Sequence, residues 1–290
     1  MERLAPVYTA ELIAALNAEL VRLLRGLEDA DWLRPTVAGA WRVRDVAAHL
    51  LDGDLRRLSG ARDAQPPPPG TRIDSYAALV GLIDRQNAEG VEYARRLSPR
   101  VITDLLEVTG GWVAEYFAAL PPHGEAVWPV AWAGEARSEN WMDVGRDYTE
   151  RWHHQAQIRL ATGAPPLVAA ELSEPVFDTF LRALPHRYAA VGAGEGATVG
   201  VAIHGAATYA YTLRRERGAW SLLKRRDGSV QVPGVGASAG GATASIEIAE
   251  QPAWLLLTKG MTGDRARAEA RVAGDERLVA PFFGTLAVMA

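Results

Sequence analysis

The hydrophobic period of this chain changes after Gly163, and that change limits what it can fold into. Up to Gly163 the apolar residues recur every three or four positions; beyond about Thr198 they alternate. A period near 3.6 buries one face of a helix, and a period of 2 buries one face of a strand. TAELIAALNAELVRLLRGL, Thr9 to Leu27, puts Leu12, Leu16, Leu20 and Leu23 on one stripe, and VRDVAAHLLDGDLRRL, Val43 to Leu58, repeats the pattern with Val43, Val46, Ala47, Leu50 and Leu51. QPPPPG at 65–70 is a connection, because consecutive prolines cannot propagate a helix. Asp74 or Ser75 caps a third predicted helix reaching about Leu97. Ser98 followed by Pro99 starts a fourth, since serine satisfies free N–H groups and proline lacks one where none is needed. That helix stops before Pro121-Pro122. A loop rich in Trp, Gly and Pro follows, then a helix over roughly Trp141 to Thr162, closed by Gly163 and Pro165-Pro166.

Beyond it, ELSEPVFDTFLRALPHRY reads as one more helix or a linking element. TVGVAIHG, ATYAYTLRR, AWSLLKRR and ATASIEIA read as strands between Gly-rich turns. QPAWLLLTKG and ERLVAPFFGTLAVMA read as helical, with ARAEARVAGD between them as a strand. The glycines of VPGVGASAGG lack the spacing of a phosphate cradle and read as a loop. The expected architecture is an all-helical bundle over 1–165, a linking helix or linker over 166–190, and a smaller α+β domain over 191–290.

Composition narrows the function classes. A net charge of -4 gives no basic excess for nucleic acid or an anionic membrane. No apolar run approaches the roughly 20 residues of a membrane span, and the first residues lack the basic start and apolar core of a signal peptide. The chain has no cysteine, which excludes disulfides, thiolate ligands and a cysteine nucleophile and fits a reducing cytoplasm. Monomer and homodimer both remain open.

The chain has only six histidines, and two stand side by side in DYTERWHHQAQIRLATG, 147–163. Glu150 and His154, four apart, share a helix face. His153 is turned from His154 by about 100° and is expected to point elsewhere. His49 sits beside Val46 and Leu50 on the apolar side of the second helix. His49, Glu150 and His154 together offer three ligands and an open fourth position, the pattern of catalytic zinc, inside a bundle core. The same spacing also fits a hydrogen-bonded core histidine and a solvated helix face. Asp52, one turn after His49, and Asp147, one turn before Glu150, are either acceptors that orient a ligating histidine or solvated charges. Trp132, with Trp128 and Trp141, lines a cleft or packs the two domains together.

WRVRDVAAHLLDGD, 41–54, resembles the tryptophan-then-histidine signature in the second helix of the DinB superfamily. DYTERWHHQAQIRLATG resembles its later helix, where a ligand, three residues and a histidine precede a Gln-x-x-Ile-like tail. Glu150 as first ligand resembles the mycothiol-dependent maleylpyruvate isomerase branch. ATASIEIAEQPAWLLLTKG and AEARVAGDERLVAPFFGTLAVMA are similar to the sterol-carrier-like domain that follows the bundle there, so the resemblance spans nearly the whole chain. It implies a DinB-like four-helix bundle, a divalent metal, usually zinc (Zn2+), on His49, Glu150 and His154, and a low-molecular-weight thiol, mycothiol, as cosubstrate. A free thiol has a pKa of about 8.5, and coordination deprotonates it. The implied isomerisation adds the thiolate to an activated double bond, lets the adduct rotate, and expels the thiol; relatives transfer the thiol to electrophiles. Maleylpyruvate carries two carboxylates, so cations are expected near the substrate. Arg42, Arg44, Arg151, Arg214, Arg215, Arg225 and Arg226 are candidates or solvated charges. The expected function is a thiol-dependent metalloenzyme, an isomerase or S-transferase on a small electrophile. Two alternatives stand beside it: a hydrolase using metal-activated water, and a non-catalytic small-molecule or lipid-binding protein.

Overall fold

The computed structural model describes residues 2–67, 71, 73–167, 169–224 and 243–288. They form two compact units. One is built from Tyr8–Ala131 and Ala136–Leu167, the other from Met1–Val7, Trp132–Glu135 and Val168–Val288.

The first unit holds α1 (Ile13–Arg25), α2 (Val43–Arg56), α3 (Tyr76–Ala94), α4 (Pro99–Ala119) and α5 (Asn140–Thr162). The local signals act where the sequence puts them. The Ser75 and Ser98 hydroxyls accept from the N–H groups of Ala78 and Val101, and Gly163 ends α5 at φ +70, a left-handed turn that favours glycine. Leu20 and Leu24 of α1, Val46 and Leu50 of α2, Ile102 and Leu106 of α4 and Ile158 of α5 share one core, so the bundle is four-helical, with α3 laid on α2. Full burial of such side chains contributes ~1.5–3 kcal/mol each.

The buried stripe of α1 differs from the predicted one. It runs through Ile13, Leu16, Leu20 and Leu24, with Leu12 and Leu23 at its margin. Asn17 lies within it because its amide donates to the Leu106 carbonyl. Gly110 of α4 makes room, since a Cβ there would stand 2.3 Å from the Asn17 amide. Beyond α2 the chain continues as a wider π-turn, Arg57–Arg62.

The second unit is a six-stranded sheet in the order β1-β4-β3-β2-β5-β6. The strands are β1 (Glu2–Arg3), β2 (Thr198–His204), β3 (Thr208–Glu216), β4 (Ala219–Lys224), β5 (Ala244–Ala249) and β6 (Arg271–Gly274). Among the described residues only the β2–β5 pair is parallel, with Val201 opposite Ile246. Helices α6 (Ala170–Phe180), α7 (Ala183–Arg187), α8 (Glu250–Leu257), α9 (Gly263–Ala268) and α10 (Glu276–Val279) complete it. The architecture is thus a helical bundle and an α+β unit, as the change of period predicts.

Three details correct the sequence reading. ELSEPVFDTFLRALPHRY makes two helices, α6 and α7. ARAEARVAGD is divided: its first three residues end α9, which the Thr262 hydroxyl caps by accepting from the Arg265 N–H, and only Arg271–Gly274 pairs with β5. Strand β1 carries no period in two residues and forms because Lys224 and Leu223 offer it an edge. Arg225, Arg226 and VPGVGASAGG lie outside the described residues. Among the described residues no helix is long and apolar enough to cross a membrane.

Candidate metal centre

Helix α2 carries His49 and α5 carries Glu150 and His154. One donor atom from each lies within 4.8 Å of the others. The two histidine rings meet edge-on at 4.7 Å, and His154 Nε2 stands 3.4 Å from Glu150 Oε2. His154 Nδ1 lies 2.8 Å from Gln157 Oε1. An amide oxygen only accepts, so Nδ1 carries the proton of this contact and Nε2 is the ring nitrogen turned to Glu150. His49 Nδ1 is buried and has no hydrogen-bond partner. Leaving such an atom unsatisfied costs about 1–3 kcal/mol. The Trp41 ring covers the pair, 4.9 Å from the His49 ring and 6.4 Å from that of His154. A third of the Glu150 side chain, 33%, stays exposed, so the group is reachable from solvent.

The charge states suit metal ligation, which needs neutral imidazoles and an ionised carboxylate. Burial pushes the Glu150 carboxyl up, but His153, His154 and His49 together hold it well below the usual carboxylate range. Burial, reinforced by His154, keeps the His49 ring well below its ordinary value. The same two causes bring His153 down to about 4. The donor set of two nitrogens and one carboxylate oxygen fits a divalent cation.

Other predicted residues stand elsewhere. His153 does not point away: its ring lies 4.1 Å from that of His154, and Nε2 is 4.0 Å from Glu150 Oε2. Its Nδ1 is tied back to the Thr149 carbonyl, which swings the ring toward the neighbouring turn. Neither Asp52 nor Asp147 orients a ligand. Asp52 pairs with Arg56 one turn on, at 2.8 Å. Asp147 pairs with Arg151 at 2.7 Å and Arg57 at 3.3 Å. An arginine one turn away along the helix outcompetes a neutral imidazole for each carboxylate. Gln157 takes the orienting role, and nothing in its spacing separates it from any other glutamine. Arg151 is buried in ion pairs. Arg44 donates to the Arg95 carbonyl, and Arg214 pairs with Glu216. Trp132 is buried and belongs to the second unit. Trp141 donates to Glu139. Arg225 is outside the described residues.

Sequence reasoning missed a buried charge network that joins α2 and the π-turn after it to α5. Arg57 donates to both oxygens of Asp143, at 2.7 and 3.2 Å, and to Asp147. Arg151 bridges Asp147 and Asp54, the latter at 2.5 Å. Thr109 of α4 donates to Asp54 at 2.7 Å, Arg146 adds a pair to Asp143, and the Trp128 ring lies 4.6 Å from the Arg57 guanidinium. The signal was legible in part: Asp143, Asp147 and Arg151 recur every four residues on the face that carries His154.

The model of the mycothiol maleylpyruvate isomerase N-terminal domain family matches residues 13–159. Two crystal structures, of the mycothiol-dependent maleylpyruvate isomerase and of a histidine-to-alanine mutant of it, align over 94% of this chain and 96% of theirs. The TM-score is 0.54 and the identity 13% in both cases, a likeness of fold. No curated protein matches the chain.

Proposed function

The chain belongs to the mycothiol maleylpyruvate isomerase N-terminal domain family, and from that membership we propose a metal-dependent enzyme that uses a low-molecular-weight thiol, mycothiol, on a small electrophile. Its reaction class is cis–trans isomerisation of the maleylpyruvate isomerase kind or thiol S-transfer. The observation that carries this reading is the convergence of His49, Glu150 and His154, one donor atom of each lying within 4.8 Å of the others.

These three residues would hold the cation, zinc by their chemistry. When bound it supplies the Lewis acidity that makes a thiolate available near neutral pH. The chain's own side chains do the rest. Gln157 fixes the tautomer and tilt of His154. Burial keeps His49 unprotonated. Trp41 shields one side of the group, and the exposed part of Glu150 leaves a way in. A cytoplasmic location belongs to the same reading, since a reduced thiol cosubstrate needs a reducing compartment.

The test is elemental mass spectrometry of the purified protein beside His154→Ala, followed by the visible spectrum of the cobalt-loaded protein with and without thiol. The reading expects about one divalent ion per chain, lost in the variant, and a charge-transfer band that appears only with thiol. Metal without that band moves the reading to a water-activating hydrolase. No metal uptake from a zinc-supplied solution sinks the site, and the binding-protein reading then leads.

A further inference from the structure

We propose that the buried ion pairs between α2 and α5 are the register lock of the metal centre, and that Asp54 and Arg151 are positioning residues for His49, Glu150 and His154. This rests on the metal reading above. The two helices meet in opposite directions. His49 faces Glu150 and His154, Asp54 faces Arg151, and Arg57 faces Asp147 and Asp143. The two tiers are rigidly joined. Asp54 lies five residues past His49, about 7.5 Å along the helix, and Arg151 directly follows Glu150.

Metal ligation tolerates distance errors of only about 0.2 Å, whereas one residue of slippage moves a helix by about 1.5 Å and turns it by about 100°. The apolar contacts of Val46, Ala47, Leu50 and Ile158 cannot define position that finely, because burial is non-directional. The ion pairs can. The Asp54 carboxylate accepts from Arg151 on α5 and Thr109 on α4, so one group ties three helices together. Arg57 grips Asp143 through two nitrogens, a planar geometry with a single best fit. Asp54, Arg57, Asp143 and Arg151 are each no more than 5% exposed, where water offers no competing partner. Counting Asp147 and Arg146, three carboxylates meet three guanidiniums. The tier is neutral in itself and draws no cation of its own.

The decisive variant is the double replacement Asp54→Leu with Arg151→Met, since an apolar pair of similar size often leaves stability unchanged. Three quantities are read: the metal-free melting curve, zinc affinity by competition with a chromophoric chelator, and the visible spectrum of the cobalt-loaded protein. The lock predicts a folded double variant whose zinc affinity falls by about 10- to 100-fold and whose cobalt bands shift. Arg151→Lys, which keeps the charge but loses the fork, falls in between, and carries the test alone if the double variant does not fold. Leu106→Ala, in the same core but off both helices, lowers the melting temperature yet keeps zinc affinity within about threefold. A folded variant with wild-type affinity and spectrum overturns the lock while leaving the metal site standing. So does a Leu106→Ala loss of affinity as large as that of the double variant. A wild-type protein that takes up no zinc overturns both.

Discussion

The α2–α5 interface has two tiers that use similar residues and end differently. In the ion-pair tier every carboxylate meets a guanidinium, and Asp54 meets a hydroxyl as well. In the histidine tier Glu150 is ionised and faces ring nitrogens in place of a guanidinium, while His49 Nδ1 has no hydrogen-bond partner. The first tier is complete within the chain. The second, in the function proposed above, is completed by a cation. A buried polar cluster that balances its own charges serves structure; one left with converging lone pairs serves a ligand.

Breaking each tier separately gives the largest contrast. Arg57→Met takes from Asp143 and Asp147 the partner they share, leaving each with only its arginine on α5, and is expected to cost about 3 kcal/mol, some 10 °C in melting temperature for a unit of this size. His49→Leu in the metal-free protein removes a buried nitrogen that has no hydrogen-bond partner and is expected to be neutral or stabilising. Equal losses in the two melting curves would erase the distinction.

The next effect is a pH dependence of the histidine tier. The unfolded His153 ring takes a proton near pH 6.5, the folded ring only at about 4. The unfolded state therefore binds more protons between those values. Stability from this group is full above pH 6.5 and declines as pH falls toward 4, by ~3 kcal/mol in total. Urea titrations of the metal-free protein at pH 7 and pH 4 measure it, and His153→Gln should reduce the difference, leaving the part that His49 contributes in the same direction. An unchanged slope in that variant would assign the acid sensitivity elsewhere.

Gln157→Leu sharpens the picture without touching a ligand. Loss of the acceptor frees the His154 tautomer, and zinc affinity should drop about 10- to 100-fold, or ~1.4–2.7 kcal/mol, in a chelator competition. The smallest effect belongs to Asp52→Asn. Its pair with Arg56 is partly exposed, 21% and 32%, and contributes no more than about 1 kcal/mol. Zinc affinity should not change; a clear loss would restore Asp52 to the orienting role that the geometry gives to Gln157.

Much of the fold was legible because its signals are local. Ser75, Ser98 with Pro99, and Gly163 act on N–H groups and dihedrals within a few residues of themselves. The four-residue spacing of Glu150 and His154 needs only one helix to be true. Strand β1 was not legible, because two residues cannot show a period and its partners lie over two hundred positions away. Nor was the inward turn of His153, since a rotation of about 100° describes where a side chain leaves the helix and not where a ring ends after Thr149 has caught it.

By itself the sequence determined the helical and alternating halves, the helix stops, and the donor types that any site on α5 must use. Only the tertiary structure decided that His49 meets Glu150 and His154, that Gln157 rather than Asp52 or Asp147 holds the ring, and that Asp54, Arg57, Asp143, Asp147 and Arg151 close on one another. Caps and periods are settled within a single element. Pairing between elements depends on register, where one residue of slippage, about 1.5 Å and 100°, exchanges every partner.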